Sequence, residues 1–256
     1  MKFSKKWLQD YIVETLPPVD QIRDVLNKKA FEVEEVIPTE NDFVFDIKVL
    51  PNRAHDALGH YGMARELCAD LGLTFKEDIR LTKFEDIDKK VSAQNILIDD
   101  TKSCARFMSV KIEGIKVEDS PKWLKERLEA IGQRSINNIV DITNFVQFAI
   151  NKPMHAYDAR SVSGSLSARF AKKGEVLTTL DDKALSLNTK TLVIADDEKV
   201  LWLAGIKGGK HSGIQDDTKN IILESANFNS SLIRTTSEQL GIRSDSSKRF
   251  ENGISD

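Results

Sequence analysis

The stretch INNIVDITN at residues 136–144, followed by PMHAYD at 153–158, sets small polar side chains and one histidine among apolar residues. Two later stretches continue this pattern: LAGIKGG at 203–209 supplies glycines, and LESA at 223–226 supplies one carboxylate. A site for a small, partly apolar ligand combines an apolar wall with a few placed hydrogen-bonding groups. These four stretches therefore predict a binding pocket in the second half of the chain.

The composition is that of a soluble globular protein, with 40% hydrophobic and 30% charged residues in 256. No apolar run approaches the roughly 20 residues that span a bilayer, so we expect no membrane contact. The basic residues at the start precede no apolar segment, which argues against a secretory signal. Cys68 and Cys104 show no metal-ligand spacing, which favours a reduced, cytoplasmic protein. A net charge of −3 gives no general nucleic-acid signature, so contact with nucleic acid would use a local patch.

Residues 1–74 predict a small domain of mixed helices and strands. Ser4 is placed to cap a short helix, and the alternating run FEVEEV at 31–36 predicts a strand. Gly72 is placed to end a later helix. Residues 75–94 lose this periodicity and mix acidic with basic side chains, which indicates a surface linker.

Residues 95–256 predict a larger domain with a mixed sheet. A helix over about 135–150 presents an apolar stripe to the core, made of Ile139, Ile142, Val146 and Ile150. Short strands with Gly and Asp turns follow, and a last helix capped by Ser230 or Ser231 ends at Gly241. The predicted fold class is therefore α+β, with a small mixed domain before a larger mixed-sheet domain.

The order of these stretches resembles the N-terminal region of the beta subunit of bacterial phenylalanyl-tRNA synthetase, including its tRNA-editing module. Besides the stretches quoted first, the resemblance is carried by KFSKKWL at 2–8, FEVE at 31–34, PNR at 51–53, AREL at 64–67, LDD at 180–182 and RFENG at 249–253. The resemblance implies a cytoplasmic subunit of an aminoacyl-tRNA ligase. Its expected partners are tRNA(Phe), the alpha subunit and the tyrosine moiety that editing removes.

Two departures from the family pattern bear on these expectations. Most members carry an OB-type tRNA-binding domain between the segments that match Val36 and Asp42, where this chain is short. The family also continues beyond RFENG into domains that pair with the alpha subunit. We therefore expect either one part of a longer subunit or a naturally short relative. Aminoacylation with ATP and Mg²⁺ is expected of the complete enzyme, whereas this region needs no cofactor. His55 and His60 lack a convergent spacing, so we predict no metal site.

The resemblance implies that the larger domain hydrolyses tyrosine wrongly attached to tRNA(Phe), with Glu224 accepting a hydrogen bond from the phenol. Such a contact discriminates by roughly 10⁴-fold, because phenylalanine leaves the buried group unpaired. From the residues alone, a carboxylate paired with Lys or Arg at a strand end is the commoner role. His155 is expected to position the substrate or its ester, and a structural histidine is the alternative. No serine lies in a nucleophile-elbow motif, so we expect hydrolysis without a covalent intermediate.

Further site residues follow from the same resemblance. Gly205 is expected to act in catalysis through backbone N–H groups that orient water or stabilise an oxyanion, and a tight hairpin is the alternative. The expected substrate-binding residues are Thr143, Asn144, Met154, Ala204, Ser244 and Ser246. The expected tRNA contacts are Arg234, Arg243, Lys248 and Arg249. Acidic residues are interspersed among these cations, so a solvated surface of mixed charge is the alternative.

Two other functions stay open at this point. The chain is either an editing hydrolase or a module that binds an aromatic amino acid or a tRNA 3′ end without cleaving it. A third role is structural, in which the chain braces the catalytic subunit. Deacylation of mischarged tRNA distinguishes the first of these functions from the other two.

Overall fold

The computed structural model describes residues 1–76, 91–179 and 182–254, without the side chain of residue 211. These residues divide into two compact units, which are described separately. Unit 1 holds residues 1–76 and 119–152, and unit 2 holds residues 91–118 and 153–254. This division differs from the predicted domains, because residues 119–152 have their contacts in unit 1. Most of the predicted linker, and part of the LDD string, lie outside the described residues.

Unit 1 packs helices against a small antiparallel sheet. Its strands are β1 (Lys2–Ser4), β2 (Glu32–Pro38) and β3 (Phe43–Lys48), in the order β1-β3-β2. Its helices are α1 (Lys5–Gln9), α2 (Val19–Lys29), α3 (Ala54–Ala57), α4 (His60–Leu71), α5 (Lys122–Ala130) and α6 (Asn138–Ile150). Two predicted boundaries are confirmed: the Ser4 hydroxyl accepts a hydrogen bond from the Trp7 N–H (3.0 Å) at the start of α1, and Gly72 ends α4 with a φ of 67°.

Helix α6 turns a different face to the core than its apolar pattern predicts. Ile142, part of the predicted stripe, is 49% exposed, whereas Asp141 is fully buried. The Asp141 carboxylate accepts hydrogen bonds from the hydroxyls of Ser120 (2.6 Å) and Ser135 (2.5 Å) and from the Ile136 N–H (2.9 Å). A buried carboxylate requires such donors, so these contacts set the rotation of the helix. The predicted stripe is therefore wrong at Ile142 and also at Ile150, which is 43% exposed.

Unit 2 is built mainly of strands. They are β4 (Val91–Ala93), β5 (Ile96–Ile98), β6 (Cys104–Ile112), β7 (Met154–Asp158), β8 (Leu166–Phe170), β9 (Val176–Thr178), β10 (Ala184–Ser186), β11 (Leu192–Ala195), β12 (Val200–Leu203), β13 (Lys207–Gly208) and β14 (Ile221–Phe228). One sheet has the order β13-β12-β11-β8-β5, a second has β4-β6-β14-β7, and β9 pairs with β10. The pair β5–β8 is parallel and the other pairs are antiparallel.

Helices α7 (Ser230–Leu240) and α8 (Asp245–Phe250) complete unit 2. The Asn229 side chain caps α7 by accepting hydrogen bonds from two backbone N–H groups, so the predicted cap at Ser230 or Ser231 is displaced by one or two residues. Gly241 ends α7 as predicted. The predicted α+β class is confirmed. Among the described residues, no helix has both the length and the apolar character needed to cross a membrane.

Candidate functional site

Three side chains form a row across adjacent strands of unit 2. In the antiparallel register, Glu224 of β14 pairs with Ser109 of β6 on one side and with His155 of β7 on the other. Side chains alternate between the two faces of a strand, so this row and Tyr157 belong to the same face. That face is covered by the core of the unit, which leaves Glu224 1% exposed and Tyr157 fully buried. The predicted carboxylate and histidine are therefore cross-strand neighbours, with Glu224 buried and His155 half-buried.

The Tyr157 hydroxyl donates a hydrogen bond to Oε2 of Glu224. In the part of the chain that the structure describes, no other group hydrogen-bonds this carboxyl, so Oε1 has no donor. Burial raises the pKa of Glu224 to about 8, although the hydrogen bond from Tyr157 acts in the opposite direction. Burial and the nearby Glu224 raise the pKa of Tyr157 well above its ordinary value, so the phenol keeps its proton. Pairing of Glu224 with Lys or Arg is absent among the described residues.

His155 lies between two aromatic rings. Its imidazole stacks on the Trp202 indole with centroids 4.5 Å apart, and it meets Tyr157 edge-on at 4.5 Å. Nε2 of His155 and Nε1 of Trp202 are both buried, and neither has a hydrogen-bond partner among the described residues. Burial lowers the pKa of His155 to about 4, so the imidazole is neutral at pH 7. A neutral imidazole offers one donor and one acceptor nitrogen to a ligand or to water.

The glycine-rich stretch forms a tight hairpin between β12 and β13. Gly205 adopts a φ of 67° in the turn, a conformation that glycine adopts without steric cost. The Ser246 hydroxyl donates to the carbonyl of Gly205 (3.0 Å), and the Ser244 hydroxyl donates to that of Ile206 (2.8 Å). The observed structure of this stretch is therefore the tight hairpin, which was the alternative to a catalytic role of its backbone N–H groups. The two serines predicted to bind substrate contact its backbone.

The same hairpin lies against the histidine of the row. A Cβ atom added to Gly208 would lie 3.1 Å from Cε1 of His155, so the absence of a side chain permits this close approach. Ala204, at the turn, is fully buried. Met154 precedes His155 on β7 and therefore belongs to the opposite face of that sheet. The hairpin therefore lies beside the row of Ser109, Glu224 and His155, whereas Met154 does not.

Thr143 and Asn144 lie on α6, in unit 1. The Thr143 side chain is buried, and its hydroxyl donates to the carbonyl of Val140 (2.7 Å) within the same helix. Asn144 is half-buried. Such a bond to the preceding turn is the usual way in which a helix accommodates a threonine. The role of both residues in substrate binding stays a prediction.

The four cations predicted to contact tRNA fall into two groups. Arg243 and Lys248 are exposed, and so is Arg234, which donates to the Glu251 carbonyl (2.5 Å). Arg249 is only 1% exposed, and its guanidinium donates to the carbonyl of Asp245 (2.8 Å). The Arg249 side chain bonds within α8 and is not accessible from solvent, so a direct contact between Arg249 and tRNA is incompatible with this structure.

Arg243 also belongs to a cationic cavity in unit 2. The cavity has a volume of about 210 Å³, and Lys183 and Lys207 line it together with Arg243. Lys207 pairs with Leu203 across the glycine hairpin, so this cavity adjoins the turn at Gly205. Cations beside a site attract the phosphates of a nucleic-acid substrate.

Three residues of the site were not among the predicted site residues: Tyr157, Ser109 and Trp202. Tyr157 stands two residues after His155 inside the PMHAYD stretch, and strand alternation alone would place both on one face. Ser109 lies in an evident strand, but its pairing with β14 depends on the order of strands in the sheet. Trp202 precedes the glycine stretch, and no local pattern marks its contact with His155.

The sequence profile of the B3/4 domain family matches residues 103–256. The chain is 45% identical over 215 residues to the phenylalanine–tRNA ligase beta subunit of Fusobacterium nucleatum, covering 84% of this chain and 27% of that protein. It is 45% identical over 213 residues to the same subunit of Geobacter metallireducens, with 83% and 26% covered. The chain thus spans about a quarter of the length of the curated relatives that it matches.

A solved structure also matches along most of the chain. It is an N-terminal fragment of the phenylalanyl-tRNA synthetase beta subunit from Pyrococcus horikoshii, with a TM-score of 0.46 and 14% identity over 95% of this chain and 75% of that one. The bacterial relatives confirm the predicted resemblance to the beta subunit. Because the family profile extends over more than half of its residues, the chain belongs to the B3/4 domain family.

Proposed function

We propose that unit 2 hydrolyses the ester of tyrosine wrongly attached to tRNA(Phe) and spares the phenylalanyl ester. The observation that carries this proposal is the Glu224 carboxyl group, which is buried, lies beside His155 and has one oxygen without a donor among the described residues. Its surroundings are aromatic and apolar, as an aromatic side chain of a substrate requires.

Selectivity follows from the cost of leaving a buried polar group unpaired. A tyrosyl ring places its hydroxyl against Oε1 of Glu224, whereas a phenylalanyl ring of the same shape offers nothing to this oxygen. A site built around such a hydrogen bond discriminates by roughly 10⁴-fold. Oε2 is already occupied by Tyr157, so the substrate needs to engage only one oxygen of the carboxyl group.

Attack by water accounts for the chemistry without a covalent enzyme intermediate. The water oxygen adds to the ester carbonyl and the bond to the ribose oxygen breaks; one water proton restores the ribose hydroxyl, the other passes to solvent, and tyrosine leaves as a carboxylate. His155 is neutral at pH 7 and is a candidate for positioning the ester or the water. Burial raises the pKa of the Cys104 thiol to about 12, which opposes a thiolate nucleophile at that position.

The wider assignments belong to the same proposal. The chain would act within an α/β phenylalanine–tRNA ligase, with tRNA(Phe) as substrate and the alpha subunit as partner in the cytoplasm. Aminoacylation with ATP and Mg²⁺ would belong to the complete enzyme, and ester hydrolysis here needs no cofactor. Arg243, Lys183 and Lys207 supply a cationic surface beside the hairpin for the phosphates of the tRNA end.

A second candidate function is recognition without hydrolysis. It is favoured by the position of His155, whose Nε2 is buried and whose ring is stacked on Trp202. A histidine held in this way contributes shape and hydrogen-bonding capacity to a binding site, even if it never reaches an ester. In this case the chain would bind a tyrosyl group or a tRNA 3′ end and leave the ester intact.

Deacylation of two matched substrates tests the proposal. The chain, at high concentration, is incubated with Tyr-tRNA(Phe) and with Phe-tRNA(Phe), and loss of the amino acid is followed. Selective loss of tyrosine in the wild type, abolished by Glu224→Gln and retained by Glu238→Gln on the exposed side of α7, is the expected result. Binding of Tyr-tRNA(Phe) without turnover would overturn hydrolysis in favour of the second candidate.

A further inference from the structure

We propose that Ser109 is a specificity-determining residue of this site: its buried hydroxyl and Oε1 of Glu224 bind the phenol of a tyrosyl group from two sides, while Tyr157 holds Oε2. This inference rests on the proposed function for the identity of the ligand, but it concerns recognition and not hydrolysis. It follows from the arrangement of polar atoms on one face of the β6-β14-β7 sheet.

The first step is the position of Ser109. It is the register partner of Glu224, so the two residues stand directly opposite each other on neighbouring strands. Directly opposed residues in an antiparallel pair have their Cβ atoms about 5 Å apart. Phe107 and Lys111 flank Ser109 on the same face of β6, and the preceding residue, Met108, is 59% exposed on the other face. The serine is thus directed to the side on which Glu224 is buried.

The second step is the hydrogen bonding of the serine. Oγ of Ser109 is buried and has no hydrogen-bond partner among the described residues. Oε1 of Glu224 likewise receives no hydrogen bond from them. Buried polar atoms in folded proteins are nearly always paired, so the unpaired Ser109 hydroxyl, opposite a carboxyl group with one oxygen that receives no hydrogen bond, requires an explanation. A hydroxyl oxygen that bridges them would satisfy both.

The third step is the fixed position of the carboxyl group. Tyr157 is fully buried, belongs to the core of unit 2 and meets His155 edge-on, so its hydroxyl is held in place. It occupies Oε2 of Glu224 and leaves Oε1 as the oxygen available to a ligand. Tyr157 is therefore a positioning residue for the carboxyl group.

A phenol matches this pair of atoms in its hydrogen-bonding groups. Its oxygen both donates and accepts, as does a serine hydroxyl, so it can engage Ser109 and Glu224 together. Its ring is apolar and planar, and the same face carries the stacked rings of His155 and Trp202. A phenyl ring without the hydroxyl would leave both polar atoms unpaired. Ser109 thereby adds to the penalty against phenylalanine that Glu224 alone would impose.

Binding of free amino acids tests this inference independently of hydrolysis. Affinities of the full chain for L-tyrosine and for L-phenylalanine are measured by NMR titration in the wild type, Ser109→Ala, Ser109→Cys and Ser225→Ala. Ser225 is the matched control, because it follows Glu224 on β14 and faces the opposite side. We expect the preference for tyrosine to fall about 10-fold in Ser109→Ala, by less in Ser109→Cys, and not at all in Ser225→Ala.

The outcomes separate this inference from the proposed function. An unchanged preference in Ser109→Ala, or no preference in the wild type, overturns the role of Ser109. A wild type that prefers tyrosine through Ser109 but leaves Tyr-tRNA(Phe) intact overturns the proposed hydrolysis and retains the recognition site. Circular dichroism of each variant establishes that it is folded, and Ser109→Cys supplies the readout if the alanine variant is unstable.

Discussion

Tyr157 and Glu224 lie 67 positions apart in the chain, and the hydroxyl of the first donates a hydrogen bond to the carboxyl of the second inside the core of unit 2. The strand pairing explains this contact, because β7 and β14 are neighbours and Tyr157 stands two register positions from the His155–Glu224 pair, on the same face of the sheet. The bond satisfies one oxygen of an otherwise isolated buried acid. The stability of the unit should therefore depend on both partners together.

Replacing Tyr157 by phenylalanine should destabilise the protein by about 1–3 kcal/mol, because it removes the donor to a buried carboxyl oxygen. The measurement is the free energy of unfolding from a denaturant titration. In a Glu224→Met background, Tyr157→Phe should cost much less, since the hydroxyl there has no acceptor to lose. Equal losses in the two backgrounds would show that the hydrogen bond contributes nothing to stability.

The free energy of unfolding should fall as pH rises from 6.5 to 8. Folded Glu224 has a pKa of about 8 against an ordinary value of 4.5, so in this range the folded chain keeps a proton that the unfolded chain has lost. The stabilisation is full below pH 4.5 and is lost as pH rises through 8. About 2 kcal/mol should disappear between 6.5 and 8. Glu224→Gln should flatten this slope, whereas Glu238→Gln should retain it; identical slopes in all three proteins would contradict the pKa shift.

Below pH 6.5, His155 should make the free energy of unfolding fall as pH falls. Its pKa falls from 6.5 to about 4 on folding, so below pH 6.5 the unfolded chain binds a proton that the folded chain refuses. Stability is therefore lost as pH falls from 6.5 through 4, by roughly 3 kcal/mol. Glu224 opposes this loss above pH 4.5, so the effect is measured in Glu224→Gln. Adding His155→Gln should abolish it, and adding His55→Gln, whose side chain is half exposed in unit 1, should not.

The local features of this fold could be predicted from the sequence because each depends on neighbouring residues. Ser4 caps α1, and Gly72 and Gly241 end their helices in left-handed conformations, as their positions after apolar runs indicate. Strand β14 and its carboxylate were also recognisable. Each of these features involves a stretch of a few residues, where backbone preference and side-chain alternation act directly.

The features that could not be predicted depend on which distant segments meet. Glu224 acquires Ser109 and Tyr157 as neighbours only through the strand order β6-β14-β7, which no single stretch encodes. The hydrogen bonds of buried Asp141 determine which face of helix α6 packs on the core. Leaving a buried carboxylate unpaired costs more free energy than exposing Ile142 does. The burial of Arg249 could not be predicted either. Arginine is almost never fully buried, so an arginine among other charged residues is expected at the surface.

Gly205→Ala should cost more stability than the same change at Gly174, and the comparison isolates the packing of the hairpin. Both glycines have positive φ, 67° and 88°, so alanine at either position carries a conformational cost of about 1 kcal/mol. At Gly174 an added Cβ meets no atom within 4 Å, whereas at Gly205 it would lie 2.8 Å from the Phe250 ring. This overlap should add about 1–3 kcal/mol at Gly205, measured as the difference in unfolding free energy.

Equal losses at the two positions would mean that Phe250 moves aside freely, and that the hairpin is not fixed against α8. A larger loss at Gly205 would mean that the turn beside the row is held rigidly by the core. That rigidity bears on the proposed site, because the same hairpin places Gly208 against the His155 ring. Gly205→Ala should therefore also shift the His155 resonances in an NMR spectrum, and Gly174→Ala should leave them in place.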